Sequence, residues 1–177
     1  MKSSKIKNLT LTGLMTALIC VLSQIAIPVP IGVPITLQTF AIALCGYLLG
    51  LKYGTASTLL YIALGCIGVP VFSSFQGGFH YVFASPTGGF ILGFILISIL
   101  TGCATMLRWK RHERLYGILL GIIGIILCHL AGAMQYASIG GVPFTVAVIT
   151  VSLPFLLKDI ISSVLAYFLS VKLKKIM

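Results

Sequence analysis

Residues 108–138 read RWKRHERLYGILLGIIGIILCHLAGAMQYAS, a basic cluster followed at once by a long apolar run. From Tyr116 to Ser138 the run contains no Lys, Arg, Asp or Glu. A helix of about 20 mostly apolar residues spans the hydrocarbon core of a bilayer, and basic residues collect at its cytoplasmic end. The stretch therefore predicts a spanning helix whose cytoplasmic end carries the basic cluster.

The composition of the whole chain agrees with a membrane protein. Of the 177 residues, 59% are hydrophobic and 8% are charged, and the mean hydropathy is +1.15. Because a soluble domain carries about 25% charged residues, we predict a single membrane domain over residues 1–177. The net charge of +10 does not indicate nucleic-acid binding, since the bases separate apolar runs instead of clustering among polar or aromatic residues.

The pattern of apolar runs and breaks predicts an all-α membrane protein of six spanning helices. Residues 70–86, rich in Gly, Ser and aromatic residues, are too polar and broken to span and are predicted to form an outer loop. Residues 144–153 are predicted as an outer segment, because Pro154 suits the first turn of the last helix. The predicted helices cover residues 9–27, 35–51, 53–69, 87–107, 116–138 and 154–172.

The distribution of basic residues predicts that both termini are cytoplasmic. With that topology the inner segments hold eleven of the twelve Lys and Arg residues and the outer loops hold none, as the positive-inside rule requires. The first apolar run, Leu9 to Ile27, is longer than the roughly 7–15 residues of a signal-peptide core, which predicts a retained helix. The inner segments are residues 1–8, the turn at Lys52, residues 108–115 and the tail from Lys172.

Lys158 and Asp159 are the charged residues deep within a predicted span. A charge at bilayer depth costs on the order of 2.5–3.5 kcal/mol, so we expect Asp159 to face protein, water or a ligand. A structural Lys158–Asp159 pair near the outer surface is the alternative, although adjacent residues diverge by about 100° around a helix and should pair poorly. A ligand role is therefore favoured for Asp159 and kept as a candidate for Lys158.

Uncharged residues supply further candidates. The aromatic segment 72–81 is predicted to be a lid over an amphipathic small molecule, with Gly77 and Gly78 as hinges, and an ordinary solvent loop is the alternative. Thr36, Gln38, Thr39 and Gln135 could hydrogen-bond a polar ligand, or could serve as caps and interhelical contacts.

Several kinds of chemistry are not indicated by the sequence. The five cysteines are isolated in apolar runs, and His80, His112 and His129 lack the spacing of metal ligands. Neither a nucleophile–base pair nor an ATP-binding motif is visible. We therefore predict no enzyme activity, no metal site and no cofactor, and we expect another polypeptide to supply the energy if the protein moves a solute uphill.

Gly13 and Ala17 form a small-xxx-small pattern on the first predicted helix. This spacing lets a second helix approach closely, but it is common by chance. It is a candidate surface for docking a partner protein in the membrane.

Several motifs, taken in their order along the chain, resemble those of a known protein family. From Leu9 to about Val171 it resembles the BioY family, the biotin-specific substrate-capture subunits (S components) of energy-coupling factor (ECF) transporters. Two departures stand out: Leu157-Lys158 replace the usual Pro-Gly before Asp159, and Gly13 replaces an alanine. The motifs are PIGVPITLQT at 30–39, LLGLKYG at 48–54, GCIGVPVF at 65–72, Gly77-Gly78, SPTGGFILGF at 85–94, and Pro154-Phe155 with Asp159.

The resemblance implies a six-helix S component in a prokaryotic cell membrane that binds biotin near the outer face. Its partners would be a transmembrane coupling protein and two cytoplasmic ATPases, which alone would use ATP, and the binding protein would topple in the membrane during transport. An S component for thiamin or riboflavin, and a structural membrane protein without a solute, are the alternatives.

The resemblance also suggests roles within a biotin site. Asp159 would accept hydrogen bonds from the ureido group. The carboxylate or carbonyl of biotin would be met by Lys158, Ser85, Thr87 or the amides of Gly88 and Gly89, near the start of the fourth helix. The residues expected to cover the rings are Phe72, Phe75, Phe79 and Tyr81.

Overall fold

Helices make up most of the described residues in the computed structural model, which describes residues 2–30, 33–106 and 113–176. The only sheet among these residues is a two-stranded antiparallel hairpin, β1 (Ala26–Ile27) with β2 (Ile35–Thr36). The helices are α1 (Lys2–Gln24), α2 (Gln38–Cys66), α3 (Phe79–Ala84), α4 (Gly88–Ala104), α5 (Glu113–Gly140), α6 (Phe144–Ala147) and α7 (Leu153–Leu173).

Three helical stretches of the described residues are long and apolar enough to cross a membrane. They are Lys5–Gln24, Arg114–Gly140 and Phe144–Leu173, and Gly88–Ala104 is a shorter apolar helix. The prediction of an all-α membrane fold is confirmed.

The second and third predicted helices are the two halves of α2, which reverses direction at Gly50. The backbone of Gly50 has φ +76°, a left-handed conformation that glycine adopts without steric cost. The two halves pack so closely that a Cβ atom on Gly54 would lie 2.8 Å from the Cα atom of Gly46. Counting these halves with α1, α4, α5 and α7 gives the six predicted helices.

The ends of the helices differ from the prediction around the first outer turn. Residues 25–27 and 35–37, predicted as helical, lie outside α1 and α2, and four of them pair as Ala26 with Thr36 and Ile27 with Ile35. The prolines between them prevent helix continuation, and the short ladder satisfies backbone groups that a terminated helix would leave unpaired.

The predicted outer segment 144–153 is helical and continuous with the last span. A π-helical turn, Val148–Ser152, joins α6 to α7, and α7 begins one residue before Pro154. The predicted outer loop 70–86 contains a 3₁₀ turn, Ser73–Phe75, and α3. Most of the predicted basic loop 108–114, and the predicted end of the fourth helix at residue 107, lie outside the described residues.

Helix α4 lies between α2 and α5, and small residues allow the close packing. A Cβ atom on Gly102 would lie 2.6 Å from the Cα atom of Leu51, and one on Gly93 would lie 2.7 Å from the Cα atom of Cys128. Larger residues at these positions would push the helices apart. This packing brings the start of α4 beside the last third of α5, where the cavity described next is found.

Candidate ligand-binding site

A cavity lies at the end of the bundle where α2, α4 and α7 begin, opposite the Gly50 turn. The empty space among its lining side chains is about 500 Å³, a figure that includes the part open to solvent. Its lining residues are Val33, Pro34, Thr36, Gln38, Thr39, Ser73, Thr87, Phe90, Ile91, Phe94, His129, Phe155, Lys158 and Asp159.

Asp159 is the centre of a polar cluster in the cavity wall. The residue is only 5% exposed, and its carboxylate accepts hydrogen bonds at both oxygens. The Thr39 hydroxyl donates to Oδ1 at 2.5 Å, and His129 Nε2 lies 3.1 Å from Oδ2. The ammonium of Lys158 lies 2.5 Å from Oδ1. A buried carboxylate is stable only with such partners.

The expectation that Lys158 and Asp159 would pair poorly is wrong. The two residues are adjacent on α7, yet the four-carbon stem of lysine is long enough to bend its ammonium back to the carboxylate. The Lys158 ammonium also donates to the backbone carbonyl of Thr36 at 2.8 Å. Because the Lys158 side chain is still 32% exposed, the ion pair leaves it accessible from the cavity.

The start of α2 supplies a second polar segment of the wall. Gln38 donates from its backbone N–H to Thr36 Oγ1 at 3.4 Å and accepts from that hydroxyl at Oε1 at 3.0 Å. Its side-chain amide donates to the Tyr61 hydroxyl at 2.7 Å. These bonds fix both side chains at the edge of the cavity, where the sequence predicted ligand contacts.

Four predicted residues lie beside Thr87 of the cavity wall, or contact its neighbours, without lining the cavity. Gln135 on α5 donates to the backbone carbonyls of Val82 and Ser85 at 2.9 and 3.0 Å. The Ser85 hydroxyl donates to the Tyr81 carbonyl at 2.5 Å and lies 2.9 Å from Thr87 Oγ1.

The other two are the paired glycines that open α4. A Cβ atom on Gly88 would clash with the Val82 carbonyl, and one on Gly89 would clash with the Ala131 carbonyl. These positions therefore hold the loop and the start of α4 against α5, so that Thr87, which does line the cavity, is fixed in place.

The aromatic segment divides into a buried part and an exposed part. Phe72 is fully buried, lies edge-on to Tyr61 and stacks on Tyr81 with ring centroids 5.7 Å apart. Phe75 and Phe79 are 70% and 64% exposed. Ser73 is the residue of the predicted lid that lines the cavity.

The glycines of this segment sit outside the cavity lining. Gly78 has φ +102°, which suits a residue without a side chain, and a Cβ atom on Gly77 would lie 2.6 Å from the Val69 carbonyl oxygen. The two residues thus allow the chain to turn from the end of α2 into α3.

His129 is the functional candidate that the sequence analysis missed. In the sequence, histidine drew attention only as a metal ligand, and among the residues that the structure describes no group of three or more His, Cys, Asp or Glu could hold a metal. The signal that could have found it is the one used for Asp159, a polar side chain deep in an apolar span.

The remaining candidates lie on α1, away from the cavity. Gly13 and Ala17 are both exposed on one face of the helix, and a Cβ atom on Gly13 would meet nothing within 4 Å. The face is therefore open for a second helix to approach.

Comparisons with known proteins agree with this architecture. The family model described as the BioY family matches residues 1–177. The chain is 34% identical to the biotin transporter BioY of Thermotoga maritima, over 96% of this chain and 97% of that protein. It is 35% identical to a probable biotin transporter BioY of Pyrococcus horikoshii, over 96% and 98% of the two chains.

A solved structure is similar over nearly the whole fold. The crystal structure of the S-component for biotin from an ECF-type ABC transporter superposes with a TM-score of 0.85 at 32% identity, covering 99% of this chain and 94% of that one. With the full-length family match, this similarity shows that the chain belongs to the BioY family.

Proposed function

We propose that this protein is the biotin-binding S component of an ECF transporter, a transport protein and not an enzyme. It captures biotin near the outer membrane face and delivers it inward. The observation that carries the proposal is the buried Asp159, hydrogen-bonded at both oxygens, in the wall of a cavity, within a chain whose relatives include the biotin transporter BioY of Thermotoga maritima.

The chemistry of biotin fits the cavity. Its ureido group has two N–H donors, and a carboxylate with its remaining lone pairs is a strong, charge-assisted acceptor for them. Asp159 supplies this acceptor. An ammonium has three donors, so Lys158 can hold Asp159 and the Thr36 carbonyl and still donate to an oxygen of biotin. The apolar side chains of Phe90 and Phe94 face the same cavity and suit the fused rings.

The other predicted residues divide into two roles. Thr36, Gln38 and Thr87 line the cavity and contact the ligand directly. The residues around its mouth act indirectly by shaping the opening or by closing over bound biotin. These are Ser85, Gly88, Gly89 and Gln135 at the α4–α5 junction, and Phe72, Phe75, Gly77, Gly78, Phe79 and Tyr81 in the aromatic segment.

Uptake requires partners and a defined orientation. Both termini lie in the cytoplasm of a prokaryotic cell, so that the cavity opens outward, and the protein has no cofactor of its own. A transmembrane coupling protein docks on the face of α1 that carries Gly13 and Ala17, and two cytoplasmic ATPases supply the energy.

Replacing Gly13 with Leu should reduce co-purification with the coupling protein and leave biotin affinity unchanged. Undiminished co-purification would mean that the partner docks elsewhere.

The ligand is tested directly on the purified protein. Its thermal unfolding midpoint is measured with biotin, thiamin and riboflavin, and binding is quantified by isothermal titration. Biotin should raise the midpoint and the other two should not, because a ligand that binds only the folded state stabilises it. Stabilisation by thiamin or riboflavin alone would reassign the substrate, and stabilisation by none would favour a structural protein.

A further inference from the structure

His129 is a buried polar residue that has no role in the proposed function described above. It is 5% exposed in the middle of α5 and lines the cavity. Its ring lies edge-on to Phe90, with centroids 5.5 Å apart and planes at 86°. Its Nε2 atom lies 3.1 Å from Asp159 Oδ2.

The chemistry of the partner fixes the direction of this hydrogen bond. An ionised carboxylate has only acceptor sites, so the hydrogen must be on His129 Nε2. The other ring nitrogen, Nδ1, is buried and has no hydrogen-bond partner among the described residues. Among the described residues, the hydrogen bond to Asp159 is therefore the only polar contact of the imidazole. A leucine would fill the space without an unsatisfied nitrogen, so packing alone does not account for histidine here.

The two oxygens of Asp159 are held by different elements. Oδ1 accepts from Thr39 of α2 and contacts the ammonium of Lys158 on α7, whereas among the described residues Oδ2 has a polar contact with His129 alone. Donors on both oxygens fix the rotation of the carboxylate plane about its bond to Cβ. Loss of His129 would leave one side of that plane unsupported.

The backbone of His129 is fastened to the same region of the chain. Ser152, the last residue of the π-helical turn, donates its hydroxyl to the His129 carbonyl at 3.2 Å. This contact ties α5 to the turn that leads directly into α7. Two hydrogen bonds therefore connect His129 to this region, one through its imidazole and one through its backbone carbonyl.

We propose that His129 is a positioning residue that orients the Asp159 carboxylate to accept an N–H donor of the transported molecule. The inference rests on the proposed function for the identity of that molecule. His129 acts through Asp159, so its contribution disappears when the carboxylate is removed. A residue that only filled space would contribute equally to ligand affinity with and without the carboxylate.

The test uses His129→Leu and His129→Gln, each made in the wild-type chain and in the Asp159→Asn variant. Glutamine retains an N–H donor at about the position of Nε2, and leucine does not. Biotin affinity is measured by titration for all the variants, with the thermal midpoint as a control for folding. We expect His129→Leu to lower biotin affinity about tenfold. His129→Gln should retain most of the wild-type affinity. In the Asp159→Asn variant, adding His129→Leu should lower the affinity little further.

Three results would overturn the assignment: unchanged affinity in His129→Leu, equal losses with Gln and Leu, or the same fold loss in both backgrounds. The wild-type measurement separates this question from the proposed function. If the wild type binds thiamin or riboflavin instead, biotin is rejected and the variants are titrated with that vitamin. If it binds none of the three, both proposals fail. Thermal midpoints without ligand still measure the coupling between the two side chains. They are compared for the wild type, His129→Leu, Asp159→Asn and the double variant.

Discussion

The Asp159 cluster and the aromatic segment 72–81 adjoin the same cavity but are built in opposite ways. In the cluster, Thr39, His129 and Asp159 are buried and joined by hydrogen bonds. In the segment, Phe75 is 70% exposed, and both Ser74 and Phe75 have φ near +60°, which is uncommon for residues with side chains. The side chains of the cluster are held by hydrogen bonds without a ligand, whereas the segment has apolar surface that a closed state could bury.

The environment of each region explains the difference. The cluster is carried by long helices within the membrane, where an unpaired polar group costs several kcal/mol. The segment lies at the cavity end of the bundle and is held at its base by Ser23 and Gln24 of α1. The amide of Gln24 donates to the carbonyls of Val71 and Phe72 at 3.0 and 3.2 Å and accepts from the Phe75 N–H at 2.9 Å. Binding strength is therefore expected to reside in the cluster, and retention of the ligand in the segment.

Replacing Asp159 with Asn should have the largest effect. Asparagine cannot balance the Lys158 ammonium, and losing one member of a buried charge pair costs about 2–5 kcal/mol. We expect biotin affinity to fall about 100-fold or more, measured by titration of the purified variant. Wild-type affinity in this variant would remove Asp159 from the site, provided that its thermal midpoint shows a folded protein.

Replacing Lys158 with Met should weaken binding less. Methionine keeps much of the apolar stem and removes the ammonium, while Thr39 and His129 still donate to Asp159. We expect affinity to fall about tenfold, the value of one charge-assisted hydrogen bond.

A matched control tests whether charge alone decides the effect of Lys158. Lys158→Arg keeps the charge but not the compact ammonium. It should therefore recover only part of the biotin affinity that is lost in Lys158→Met. If Met binds as well as Lys, the ammonium is a structural partner of Asp159 and does not contact the ligand.

The helices could be predicted because the bilayer imposes a simple rule on the sequence. Long apolar runs must be helical, and a charge within one must face protein or a cavity. The fold and the candidates Lys158 and Asp159 follow from this rule. Polar residues at the start of the second predicted helix supplied Thr36, Gln38 and Thr39, and the family resemblance supplied Thr87. All six line the cavity.

Other features had no comparable signal in the sequence. The β1–β2 hairpin has two residues in each strand, too few to give an alternating pattern. Gln135 was recognised as polar, but its donation to the Val82 and Ser85 carbonyls depends on the course of a loop. An amide that binds a ligand and one that binds the backbone are indistinguishable in sequence, whereas the structure separates them.

Replacing Gln24 with Ala should loosen the aromatic segment without altering the cavity wall. The change removes the three hydrogen bonds of the Gln24 side chain to residues 71, 72 and 75 and leaves the bond from Ser23 to the Val71 carbonyl in place. We expect biotin to dissociate about five times faster, because a lid held less firmly opens more often. The affinity should fall mainly through the dissociation rate, which is measured by exchange of labelled biotin. An unchanged rate would mean that the segment does not retain the ligand.

Replacing Phe75 with Ala should change biotin affinity by no more than the Gln24 variant does. In the unliganded protein this ring is mostly exposed, so removing it should barely change the thermal midpoint. If the segment closes over biotin, the ring becomes buried and its loss should cost about 1 kcal/mol of binding energy, a roughly fivefold change in affinity. Phe144→Ala is the matched control, since Phe144 is also exposed but starts α6 outside the cavity lining. Equal affinities in the two variants would mean that Phe75 stays in solvent when biotin binds, and the segment would then be a loop beside the site instead of its cover.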